Sequence, residues 1–119
     1  MRVLVCGGRA YSDADRVYSV LDMLHCKNPI TCIIEGGAKG ADFLACRWSA
    51  SRGVADHSRF SADWALYGKS AGPKRNQRMI DEGKPDMVVA FPGGSGTADM
   101  VKRAKTANIP IIEITGDKP

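Results

Sequence analysis

Short apolar runs alternate along this chain with stretches that carry the period of a helix. Arg2 to Cys6 is apolar after its first residue and turns at Gly7-Gly8-Arg9, which makes it a first strand. Ser12 with Asp15 three residues on resembles a capping box. Val17, Val20, Leu21 and Leu24 then fall at i, i+3, i+4 and i+7 of an amphipathic helix, which Asn28-Pro29 ends. Ile30 to Glu35 is a second strand, followed by a glycine turn and a helix with Ala41, Leu44, Ala45 and Trp48 on its buried stripe, stopping near Gly53. Val54 to Phe60, with Asp56, His57 and Arg59, has the polarity of an edge strand. Ser61 to Gly72 reads as loop, and Pro73 suits the first turn of a helix carrying Arg75, Asn76, Arg78, Met79 and Ile80, which stops near Gly83. Val88 to Phe91 is an uncharged strand that Pro92 closes. Thr97 is placed to cap the next helix, with Val101, Ala104 and Ala107 on one face, and Ile109 to Ile114 is the fifth strand.

Strands alternating with helices predict an α/β fold: a three-layer, Rossmann/flavodoxin-like domain with a mostly parallel five-stranded sheet. The strand order is then 2-1-3-4-5 or 3-2-1-4-5. In the second, the order reverses between strands one and four, and ligands bind outside the carboxyl ends of strands at such a reversal. Those ends carry Gly7-Gly8-Arg9, Gly36-Gly37 and Gly93-Gly94-Ser95-Gly96-Thr97. The last of these is a glycine turn at a helix N-terminus, where unpaired N–H groups and the helix dipole favour an anion.

Composition narrows the classes. A chain of 119 residues fits one domain with its own core, and 44% hydrophobic against 25% charged residues excludes a disordered chain. The net charge of +4 favours anionic ligands but falls short of the concentrated basic surface of a nucleic-acid binder. Apolar runs stay well below the ~18 residues of a membrane span, so no membrane association is expected. Cys6, Cys26, Cys32 and Cys46 form no C-x-x-C pair; they read as reduced core thiols of a cytoplasmic protein, with no metal site and no bound cofactor expected. Gly68-Lys69-Ser70 lacks the upstream glycine of a P-loop, since position 63 is Asp63. The dinucleotide fingerprint fails at Asp99.

Four motifs in order carry a resemblance over nearly the whole chain: Gly36-Gly37-Ala38-Lys39-Gly40-Ala41-Asp42, Ala62-Asp63-Trp64, Ala71-Gly72-Pro73-Lys74-Arg75-Asn76, and Phe91-Pro92-Gly93-Gly94-Ser95-Gly96-Thr97-Ala98-Asp99. Together they resemble the YspA/YpsA-related family of the SLOG superfamily. The resemblance implies a Rossmann-like domain that binds nucleotides or nucleotide-derived ligands. The superfamily includes the LOG-type phosphoribohydrolases, which cleave the N-glycosidic bond of a nucleoside 5′-monophosphate, and it is related to the DNA-processing protein DprA. The LOG-type motif P-G-G-x-G-T-x-x-E ends in a Glu that works with an Arg. Here the Glu position is Met100, whose thioether cannot move a proton, and Arg75 stands for the Arg.

The residues left to assign each have two uses. Arg9 and Lys39 follow glycine turns and suit a phosphate or open solvent. Arg75 with Asn76 offers a fork donor and an amide for phosphate or ribose. Asp42 caps the second helix, bonds a ribose hydroxyl, or both. Trp64 and Tyr67 stack on a base or cover the sheet edge. Trp48 belongs to the core, and His25 and His57 are isolated. The expected function is a sensor or sequestering module for a nucleotide or nucleotide-derived phosphate ligand, acting as a homo-oligomer. A hydrolase using Arg75 with Asp42 or Asp99 is the alternative, and a DNA-associated role is the third.

Overall fold

The computed structural model describes residues 1–54 and 56–115. The strands are β1 (Arg2–Cys6), β2 (Cys32–Glu35), β3 (Asp56–Arg59), β4 (Met87–Ala90) and β5 (Ile111–Glu113). The helices are α1 (Ala14–Lys27), α2 (Ala41–Ser51), α3 (Trp64–Tyr67), α4 (Ala71–Asp81) and α5 (Ser95–Thr106). All strand pairs are parallel, in the order β3-β2-β1-β4-β5, the second of the two predicted orders.

The period-2 alternation of the central strands sorts their side chains into two cores. Val3, Val5, Ile33 and Val89 point to one face, where Val17, Leu21, Ala45 and Trp48 of α1 and α2 cover them. Leu4, Cys6, Ile34 and Val88 point to the other, under Met79, Ile80, Met100 and Ala104 of α4 and α5. Trp48 is fully buried, as its place on the apolar stripe requires, and its Nε1 donates to Asp22 Oδ1 at 2.8 Å. Burying its indole N–H without that partner would be costly. β3 is the polar edge strand expected.

Several expectations are corrected. Helix α1 is capped by Asp13, which accepts from Arg16 N at 3.1 Å, and not by Ser12. The stretch Ser61–Gly72 is not all loop: Asp63 caps α3 by accepting from Leu66 N, a 3-10 turn spans Gly68–Ser70, and α4 starts at Ala71 ahead of Pro73. Gly72 lies in that helix because the Trp64 ring sits against it; a Cβ there would meet Trp64 Cη2 at 3.2 Å. Strands β2, β4 and β5 are shorter than their apolar runs, since Ile30, Phe91 and Ile109 lie beyond the ladder and serve the cores. Cys26 is exposed and Cys46 half-buried, so only Cys6 and Cys32 are core thiols. No helix among the described residues is long and apolar enough to cross a membrane.

Candidate functional site

A cavity of about 750 Å³ opens at the carboxyl ends of β2, β1 and β4, where the strand order reverses. The backbones of the three turns meet there. Gly8 N donates to Pro92 O at 2.9 Å, and Ala41 N, the first amide of α2, donates to Gly8 O at 3.4 Å. Gly40 makes that junction: its φ is +78°, and a Cβ would strike the carbonyl oxygens of Gly8 and Arg9.

The N-terminus of α5 faces the same cavity but is not filled in this way. Its cap residue is Gly94, which offers no side chain, and not Thr97, which lies inside the first turn. Among the described residues, Ser95, Gly96 and Thr97 have no hydrogen-bond acceptor for their N–H groups. Such groups are left over at every helix start, and here the three residues that carry them line a cleft at the positive end of the dipole.

The floor is polar and self-bonded. Asp42 is buried, and its Oδ2 accepts from Gly36 N at 3.0 Å and Ala38 N at 3.3 Å. It therefore holds the β2 glycine turn; the helix cap is Gly40, without a side-chain bond. Arg75 reaches down from α4, with Nη1 donating to Gly36 O at 2.6 Å and Nε to Asn76 Oδ1 at 3.0 Å. Among the described residues its Nη2 has no partner. Asn76 is buried, and both its amide hydrogens are spent, on Gly96 O and Asp99 Oδ2. It ties α4 to α5 at the wall of the cavity. Asp99 also accepts from Arg103 Nε at 2.8 Å. Burial works against its charge, but the hydrogen bonds from Arg103 and Asn76 hold the carboxyl below its ordinary range.

Asp42 moves the other way. Burial pushes its carboxyl up to about 6; the Ala38 and Gly36 amides and Arg75 pull it down, and the charge of Glu35 adds to the rise. Its folded value thus lies above the unfolded 3.8, so the folded state holds the proton more tightly. Its contribution to stability is complete below about 3.8 and is lost as the pH rises through about 6. Asp42→Asn should therefore gain stability relative to the wild type over that window in urea unfolding. A difference that stays constant with pH would mean that Asp42 ionises as freely folded as unfolded.

Of the predicted site residues, Gly7, Gly8, Arg9, Gly36, Gly37, Asp42, Trp64, Arg75, Asn76, Gly94, Ser95, Gly96, Thr97 and Asp99 line the cavity. Lys39 is exposed outside it, and Gly93 is also exposed and outside it, with no room for a side chain beside Gly8 and Thr97. Tyr67 is also outside, with Lys74 Nζ 5.0 Å from its ring centroid. Met100 is buried in the α4–α5 core and does not face the cavity. Lys69 lines the cavity as well, and its one signal in the sequence is the incomplete Gly68-Lys69-Ser70 match. Arg9 and Lys69 make no ion pair among the described residues, so two uncompensated cations stand at the rim.

Comparisons with known proteins agree with this architecture. The model of the "YspA, cpYpsA-related SLOG family" matches residues 1–67. The Gene 61 protein of Mycobacterium phage D29 is 38% identical over 125 residues, covering 99% of this chain and 98% of that protein. The X-ray structure of DNA processing protein A (DprA) from Streptococcus pneumoniae superposes with a TM-score of 0.75 at 22% identity. That match takes in 98% of this chain but spans only half of the DprA chain, 50%, and concerns the fold alone.

Proposed function

This chain belongs to the YspA, cpYpsA-related SLOG family, and from that premise we propose that its cavity binds a nucleotide or nucleotide-derived phosphate ligand, as a sensor or sequestering module. The observation that carries this reading is the uncapped N-terminus of α5 opening into a cleft of about 750 Å³. That volume suits a mononucleotide-sized ligand. The phosphate sits on the N–H groups of Ser95, Gly96 and Thr97, with Arg9 or Lys69 closing over it. Trp64 is half exposed at the rim and offers its ring to the base.

Binding is favoured over cleavage by positions 99 and 100, where the related hydrolases carry their carboxylate. Asp99 is held ionised by Arg103 and Asn76, so it has no proton to give a leaving base, and position 100 contributes only a buried thioether. A role on DNA, such as the name of the pneumococcal protein states for that protein, is less well supported, because a net charge of +4 without a concentrated basic tract falls short of a nucleic-acid surface.

The test is calorimetry with a nucleoside, its 5′-monophosphate and its di- and triphosphate, for each common base. Phosphorylated forms should bind at least tenfold tighter than the nucleoside, and incubation should release no free base. Equal affinity for nucleoside and nucleotide would remove the phosphate from the α5 terminus. Release of base that disappears in Asp42→Asn would make the chain an enzyme.

A further inference from the structure

Glu35, the last residue of β2, is a carboxylate with no exposed surface, and an ionised carboxylate is not buried without partners. Its Oε1 accepts from Gly37 N. Its Oε2 accepts from Arg59 Nε at 2.7 Å and lies 2.6 Å from His57 Nε2, both residues being on the neighbouring strand β3. His57, expected to be isolated, is therefore anchored. With Nε2–H given to the carboxylate, its Nδ1 lone pair faces Cys46 Sγ on α2 at 3.9 Å. Sulfur, nitrogen and oxygen donors from three elements all lie within 4.8 Å of one another.

We propose that Glu35, Cys46 and His57 form a site for a thiophilic divalent cation, with zinc as the fitting ion. One thiol, one imidazole and one carboxylate match the borderline-soft preference of Zn²⁺, whereas Mg²⁺ and Ca²⁺ select oxygen donors alone. Three protein donors leave a fourth position open, on the side where the His57 side chain is 26% exposed.

The cation now in that place is Arg59. Its guanidinium covers the carboxylate, and its Nη2 lies 3.5 Å from Cys46 Sγ. The Arg59 side chain is 49% exposed, so it can swing into solvent. Loading is an exchange: the metal ion enters between His57 Nε2 and Glu35 Oε2 and bonds to Cys46 sulfur, the imidazole proton passes from Nε2 to Nδ1, the Cys46 S–H proton leaves to solvent, and Arg59 withdraws. None of the three donors lines the nucleotide cavity, so this site stands or falls separately from the function proposed above. Glu35 nevertheless braces Gly37, a wall of that cavity, through one hydrogen bond.

The experiment is a Co²⁺ titration of the reduced, chelator-treated chain. We expect one equivalent to give a near-ultraviolet sulfur-to-cobalt charge-transfer band, which Zn²⁺ displaces. Cys46→Ser should abolish the band, and His57→Gln should weaken binding at least tenfold. Arg59→Gln should tighten binding severalfold, because it removes the competing cation. Cys26→Ser, which alters the exposed thiol, should change nothing. Absence of the band in wild type, its survival in Cys46→Ser, or its loss in Cys26→Ser overturns the proposal. Circular dichroism of each variant separates loss of ligand from loss of fold.

Discussion

Gly40→Ala is expected to cost about 2–6 kcal/mol of stability. An L side chain at φ +78° is strained by about 1–3 kcal/mol. Its Cβ would also meet the Arg9 carbonyl carbon at 2.8 Å, besides striking the carbonyl oxygen of Gly8. These are backbone atoms of the turn after β1, which cannot move aside as a long side chain can. Forcing them apart adds the about 1–3 kcal/mol of an overpacked site. Gly53→Ala is the matched control, with φ +68° and nothing within 4 Å of the added Cβ. It should cost about 1–2 kcal/mol, the backbone strain alone. Urea unfolding of the two variants measures the difference. Equal losses would mean that the junction of the turns relaxes freely.

Gly94→Val should weaken nucleotide binding by 100-fold or more, about 2.8 kcal/mol at 1.4 kcal/mol per tenfold. A Cβ at Gly94 meets nothing within 4 Å, so the substitution leaves the interior untouched and places its methyls over the first turn of α5. Unfolding stability should remain within about 1 kcal/mol of wild type. At Gly93, one residue earlier, a Cβ would run into Thr97 Oγ1 and the amide nitrogen of Gly8. Gly93→Val should therefore damage the fold. Calorimetry and urea unfolding on the pair separate a glycine needed by the structure from one needed by the ligand. Unchanged affinity in Gly94→Val would move the anion away from α5.

The sheet was legible because its signal is repeated. Each central strand is a run of apolar residues buried on both faces, and the alternation with helices leaves few topologies for β1, β2 and β4. The three glycine turns were legible for the same reason, and all three reach the cavity. What stayed hidden depends on partners distant in sequence. Helix α3 is four exposed residues with no buried stripe, so no periodicity betrays it. The tie that Asn76 makes to α5 is invisible in the sequence, because the acceptors for its amide lie 20 and 23 positions away. Glu35 ends an apolar strand and gives no sign of burial; only the register of β3, which sets Arg59 beside it, makes the charge tolerable. Thr97 was a sound N-cap by type, but Gly94 already supplied the turn, and the hydroxyl packs back toward Gly93.

The central position of β1 in the sheet has a consequence for how the protein is made. Its partners are the second strand and the fourth, and Arg2 N donates to Asp86 Oδ2 across 84 positions. On a ribosome, β1, β2 and β3 emerge first with α1 and α2, which can begin to cover one face. Leu4, Cys6 and Ile34 on the other face have no cover until α4 and α5 follow. The nascent chain therefore carries an open apolar surface through most of its synthesis, a state that invites chaperones or aggregation. Closure waits for a contact of high sequence separation, which places folding at the slow end for a chain of this size. The same late event that joins β4 to β1 brings the α5 terminus to the rim of the cleft. Until that event the cleft lacks one of its walls, so the proposed nucleotide site exists only once β4 and α5 are in place.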